Sequence, residues 1–268
     1  PYSLLRTHLP SGEEVRWFVS STSGARVRAA DTCPHCGSWR LRERGIGIQT
    51  VYDECLEQFK DKRIFLFDKE SITTPKRAAE VIREFYDTRS AILIGTQIAL
   101  PYLAKDGVDL SAVISLDATR ATPTWRADEH TLHLLLTLRD WSDKEVLIQT
   151  RAAKDALLTT AETGLIEGFY TEELDLRSQL SYPPYCIFIL LTWQGTAESV
   201  KKTETEVLTR IGNAKPACYS HPLSTAAKTV RYALLRIAPH DTQRVEIIEA
   251  IRNFPPHIKV EIDPSRIV

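Results

Sequence analysis

A chain of 268 residues, 43% apolar and 26% charged, has the composition of a soluble globular protein with room for two domains. No apolar run approaches the ~18 residues that span a bilayer, and no charged-then-apolar leader opens the chain, so a cytoplasmic location is the default expectation. The net charge of −1 excludes a strongly basic or acidic protein, but it conceals a segregation: residues 1–44 hold seven Lys/Arg against four Asp/Glu, residues 45–177 sixteen against twenty-three, and residues 178–268 eleven against eight. Mildly basic ends suit phosphate contact, and a solvated mixed-charge surface accounts for them equally well.

Residues 1–44 are poor in long apolar runs, and VRWFVS (Val15–Ser20) and RVRAA (Arg26–Ala30) read as the strands of a small hairpin. A module this small needs a metal or a neighbouring domain for support. From Thr50 the pattern alternates. Helical spacing covers Thr50–Phe59 and Pro75–Tyr86, with Pro75 in a first turn and Thr73 or Thr74 as its cap. Strands are expected at Arg63–Asp68, Ser90–Thr96, Ala112–Ala118 and Glu145–Thr150, with a buried helix over His130–Leu138. Strands separated by helices predict a parallel, three-layer α/β sheet, whose functional groups gather at strand C-terminal ends. Asp68, Gly95-Thr96-Gln97 and Asp117 are placed there.

A helical passage follows Arg151 and is broken sharply by SYPPY (Ser181–Tyr185). Beyond it the pattern is β-α-β-β-α-β: strands at Cys186–Trp193, Ala217–Ser220, Arg231–Ala238 and His257–Asp263, and helices over 197–211 and 242–254. That order predicts a ferredoxin-like plan, two helices on one face of an antiparallel sheet. The domains so delimited are 1–44, 45–155, a helical linker 156–185, and 186–268.

The motifs add more. CPHCG (Cys33–Gly37) is half of a zinc-ribbon signature, and SSTSG (Ser20–Gly24) has the same skeleton with serine in both cysteine places. The order CPHCGS, GIGIQ, RIFLFD, ILIGTQIA, Lys105-Asp106-Gly107-Val108-Asp109, WRADE (Trp125–Glu129), EVLIQT, Phe169-Tyr170 with Glu173-Leu174 and Arg177, YPPY, and a terminal Ile262-Asp263-Pro264 resembles the PriA family of primosomal replication-restart helicases. The resemblance runs through essentially the whole chain. It implies an inner zinc-binding region, a RecA-like second helicase lobe and a C-terminal α+β domain. It also implies forked or single-stranded DNA and replication-restart proteins as partners, with no membrane. ATP would be bound only together with a partner lobe, because G-x-x-x-x-G-K-[ST] does not occur here.

The chain departs from the family where the chemistry is done. Gly95-Thr96-Gln97 is retained, but Leu100–Ala104 stands before Lys105, Val108 replaces a histidine, and Asp109 is displaced. The family's Gly-Arg-Ala-Gly-Arg run is replaced by LLTLRDWSDKE, in which Arg139 alone could serve as an arginine finger, a role worth roughly 10³–10⁵ in rate in related nucleotidases. Two explanations stand. The loops have decayed, or residues are missing from the sequence, as the absence of methionine also suggests. The inserted LPYLA and the serine pair favour decay.

Zinc is open in the same way. Cys33 and Cys36 either keep a zinc site with other donors, or belong to a metal-free knuckle packed on Trp17, Phe18 and Trp39, the preferred reading because serine supplies no thiolate. Gly95-Thr96-Gln97 either touches a phosphate or is an inherited tight turn. Lys228 and Arg231 are candidate DNA contacts, set against a solvated edge; Arg231 and Arg236, five apart, must face opposite sides of a strand. Arg126 and Glu129 suit a structural pair, YPPY a rigid junction, and Cys186 and Cys218 the core. A DNA-binding scaffold with an inactive helicase lobe is the reading preferred over a fragment of an active ATP-dependent 3′-to-5′ helicase and over a protein-interaction module without DNA binding.

Overall fold

A computed structural model of the chain describes residues 2–8, 14–20, 26–29, 32, 37–38, 46–103, 107–121, 124–212, 214–221 and 229–267. The chain forms two compact units, one of Pro1–Ala121 with Asp128–Gly164, the other of Thr122–Ala127 with Leu165–Val268. The expected linker 156–185 contributes to both.

The first unit opens on an antiparallel sheet of β1 (Tyr2–His8), β2 (Glu14–Ser20) and β3 (Arg26–Arg28), in that order. The strands β2 and β3 fall where two were expected. The first was not foreseen, because adjacent Leu4 and Leu5 blur the period of two by which strands are recognised. The register pairs Trp17 with Arg28 and Val19 with Arg26, and SSTSG beyond Ser20 lies outside the described residues.

Next come α1 (Ile48–Gln58), β4 (Ile64–Phe67), α2 (Pro75–Asp87) and β5 (Ile92–Gly95), then a 3₁₀ turn (Gln97–Ala99) and α3 (Leu100–Leu103). The strands β4 and β5 pair in parallel. Thr74 caps α2 as expected, its hydroxyl oxygen accepting the Arg77 N–H at 3.2 Å. Phe65 and Phe67 alternate onto Ala78, Val81 and Ile82 of α2 and form this region's core.

The third expected strand, Ala112–Ala118, lies earlier. The strand β6 covers Val108–Val113, and Leu116–Arg120 is a helix, α4. Ser115, with φ 68°, turns the chain out of extended geometry before Leu116. After α5 (Ala127–Trp141), β7 (Ser142–Ile148) pairs in parallel with β6, and α6 (Ala156–Thr163) ends at Gly164, φ 76°. Among the described residues the four parallel strands therefore form two separate pairs, not the one continuous sheet expected.

In the second unit α7 (Ile166–Leu180) stops at left-handed Ser181, and Tyr182 N–H donates back to Arg177 O at 2.8 Å. The β-α-β-β-α-β run follows: β8 (Ile187–Gly195), α8 (Ala197–Ile211), β9 (Ala217–Ser220), β10 (Thr229–Ile237), α9 (Arg244–Arg252) and β11 (Lys259–Ile262). The sheet order is β11-β8-β10-β9 with every pairing antiparallel. This is the topology read from the sequence. One face of β8, with Ile189, Leu191 and Trp193, packs on Val200, Val207 and Ile211 of α8 and on Ile247 and Ile251 of α9. The other face holds Phe188 and Leu190 against Leu234, Tyr182 and Trp125. Both faces are buried, hence the unbroken apolar run IFILL.

Candidate functional site

Motifs from three separate stretches of the sequence meet in the second unit. Trp125 and Arg126 come from WRADE, Glu173 and Arg177 from α7, Tyr182 to Pro184 from the break after α7, and Asp263 and Pro264 from the chain segment after β11. The Trp125 indole N–H donates to Pro264 O at 2.8 Å, which fixes the ring. Thr124 Oγ1 donates to Ser265 O beside it. The guanidinium carbons of Arg126 and Arg177 lie 4.3 and 4.8 Å from the indole centroid, within cation–π range. Trp125, Tyr182 and Phe188 meet edge to face at centroid separations of 5.3 to 6.4 Å. Arg236 stands over Tyr182 and Phe188, at 5.5 and 5.7 Å.

Two carboxylates complete the cluster. Glu173 accepts from Arg177 Nε at 2.8 Å, one helical turn apart. Asp263 accepts the Phe188 N–H at 2.9 Å, and its own N–H donates to Phe188 O at 2.7 Å. A cavity of about 350 Å³ opens beside Trp125, lined also by Arg126, Arg177, Pro183, Pro184 and Cys186. Burial pushes the Cys186 thiol up, and the thiol donates to Ser181 O at 2.9 Å, so this wall is neutral.

The residues nominated from sequence occupy other places, each in a local contact. At the end of β5, a Cβ on Gly95 would lie 3.1 Å from Ala99 Cβ and 3.2 Å from Phe67 O, so glycine permits close packing there. Thr96 N–H donates to Phe67 O at 3.2 Å, and Gln97 is exposed. Asp109 on β6 pairs with Lys144 on β7 at 2.7 Å, both exposed. The guanidinium of Arg139 donates to Ala161 O at 3.0 Å, near the C-terminus of α6, and contacts Asp140. Arg231 makes a two-pronged contact with Glu204 of α8, at 2.9 and 2.7 Å, and donates to Ser220 Oγ. Arg236 lies on the opposite sheet face, as the spacing required. Cys33, Cys36, Lys105 and Lys228 lie outside the described residues.

Asp68 closes a turn on Ser71, accepting its N–H at 2.7 Å. Asp117 lies in α4, not at a strand end, and accepts Arg151 N–H at 3.0 Å. Arg120 is clamped by Asp128 at 2.8 Å and by Asp155, which also caps α6 through Leu157 N–H.

For zinc, Ser20, Ser23, Cys33 and Cys36 supply only two thiolates and do not fit a closed tetrahedral site. Among the described residues no group of three or more His, Cys, Asp or Glu could hold a metal, and no helix is long and apolar enough to cross a membrane.

Parallel strand pairs with helices, followed by a β-α-β-β-α-β domain, define a two-unit α/β protein whose ordered motifs run through both units. The relatives are particular. The chain is similar to replication restart protein PriA of Rickettsia typhi, at 25% identity over 258 residues, 90% of this chain and 40% of that protein. It is similar to PriA of Synechocystis sp., at 27% over 252 residues, 88% and 30% of the two. It is similar to PriA of Bacillus subtilis, at 30% over 166 residues, 60% and 21%. The resemblance carried by the motifs is thereby borne out, and the chain spans 21% to 40% of the length of these relatives. No family model matches the chain.

Proposed function

We propose that the chain acts in replication restart as a DNA-binding scaffold whose helicase-like lobe does not drive ATP hydrolysis. The observation that carries this reading is similarity to replication restart protein PriA over up to 90% of the chain. Retained motif order supports kinship, while the altered motifs argue against catalysis. Arg139, the one candidate finger, spends its guanidinium on a helix end and on Asp140. The ligand of this reading is forked or single-stranded DNA, held mainly through phosphates, with replication-restart proteins as partners. Zinc and ATP have no assigned part in it.

A second reading is favoured by length: a chain that spans 21% to 40% of its relatives fits a segment of an active ATP-dependent helicase. An ATPase assay of the complete gene product with forked DNA separates the two. The scaffold reading expects turnover near background, and strongly DNA-stimulated turnover, in the range of about 1–100 per second typical of kinases, would sink it. Fork affinity is expected to fall steeply between low and high salt, because phosphate contacts release counterions.

A further inference from the structure

The sheet of the second unit ends in β11, a four-residue strand that pairs with β8 on one side and, on the other, with no strand among the described residues. Hydrogen-bond parity tells which groups that edge presents. Asp263 N–H donates to Phe188 O, and across the sheet His221 N–H donates to Val230 O. Ladder bonds alternate along an antiparallel strand, and these two bonds fix the same parity through the register. Lys259 and Glu261 turn their main-chain groups to β8, and Val260 and Ile262 turn theirs outward.

The side chains suit a pairing edge. Natural sheet edges are blunted by charges, proline, bulges or a covering element. Here Val260 and Ile262, which share the helix-bearing face with Leu191 and Ile189, are 37% and 69% exposed. Lys259 and Glu261, on the opposite face, have opposite signs and form an ion pair with each other. Such a pair of charges is complementary to its own copy. In a two-fold antiparallel pairing centred on Val260, Lys259 falls opposite the partner's Glu261, and Glu261 opposite the partner's Lys259. Both are non-hydrogen-bonded positions of the new ladder, where facing side chains come closest. Val260 exchanges main-chain bonds with the partner's Val260, and Ile262 lies opposite the partner's Ile258. A centre on Glu261 would set two carboxylates face to face, so charge selects the register.

We infer that β11 is the edge through which two copies of this chain associate, in a two-fold pairing that runs the two sheets into one. One short strand from each copy makes a small contact, so the dimer is transient and concentration-dependent rather than obligate. The inference goes beyond the replication-restart reading and needs no DNA.

The test is sedimentation velocity of the complete chain over a concentration series without DNA. The parent is expected to dimerise reversibly. Val260→Pro removes an outward N–H at an edge position that tolerates proline, and it is expected to abolish the dimer while urea unfolding stays close to the parent's. Lys259→Glu and Glu261→Lys each set like charges opposite one another and are expected to weaken self-association about tenfold. Mixed one to one, the two variant chains are complementary, one acidic at both places and the other basic at both. The mixture is expected to associate at least as tightly as the parent, a rescue that no effect within a single chain produces. A parent that stays monomeric throughout, or a dimer unmoved by Val260→Pro, overturns the proposal. A mixture that stays monomeric overturns the Lys259–Glu261 register and the two-fold pairing with it.

Discussion

The two units differ in what their motifs became. In the first, the residues that the family resemblance assigns to chemistry each sit in a separate local contact: Gly95 against Phe67, Asp109 on Lys144, Arg139 at the end of α6. Its four parallel strands form two pairs among the described residues, and Leu110 and Leu147 on the second pair are about half exposed. In the second unit the motifs converge on one cluster, over a sheet with both faces buried. A residue's motif membership therefore says little about its present work. In one unit it marks a turn, a surface ion pair or a helix end. In the other it marks a shared, charged and partly buried site, the arrangement that can recognise a ligand.

Mutations can break or sharpen this contrast. Trp193→Ala should have the largest effect. The ring is almost fully buried and its N–H donates to Val200 O at 3.1 Å, so truncation should cost about 3–5 kcal/mol in urea unfolding. A loss below 1 kcal/mol would mean that the second unit's core is far looser than its packing. Arg231→Ala should cost about 1.5–3 kcal/mol through its paired contacts with Glu204. Unchanged stability with weakened DNA binding would instead restore Arg231 as a phosphate contact. Gly164→Ala should cost about 1–2 kcal/mol, because φ is 76° and the added Cβ would stand 2.8 Å from Arg139 Nη1. A neutral result would remove Arg139 from its place at that helix end.

The smallest effect is on pH. Burial alone would raise the Asp155 carboxyl, but the Leu157 N–H and Arg120 outweigh it and the group is held below the ordinary aspartate range. Its folded value is below its unfolded one. Its contribution is thus complete above about pH 4 and lost as pH falls through the folded value. Stability measured from pH 6 to 3 should fall less steeply in Asp155→Asn, and parallel curves would show that the carboxylate contributes nothing.

Much of the fold was legible because its signals are local. Pro75 and Thr74 begin α2, Ser181 and the following prolines end α7, and the unbroken apolar run IFILL marks β8. The strand β6 was misplaced because the apolar residues of AVISL run on past its end, and only the left-handed Ser115 decides where extension stops. The candidate site was less legible. WRADE read as a helical-turn pair and YPPY as a junction, since neither motif carries a sign of the other.

The sequence by itself determined the kinship, the order of elements and the β-α-β-β-α-β plan, because periodicity, caps and turn residues act over a few neighbours. It also set out two thiols where a zinc ribbon needs four donors. Tertiary structure alone decided which charges share a space. Arg126 and Arg177 reach the Trp125 ring from a loop and a helix, Arg236 reaches the adjoining Tyr182 and Phe188 rings from a strand, and Arg231, on the same strand as Arg236, is turned to Glu204 instead. Such groupings depend on how distant segments pack, and packing is settled by the whole buried surface rather than by any short stretch.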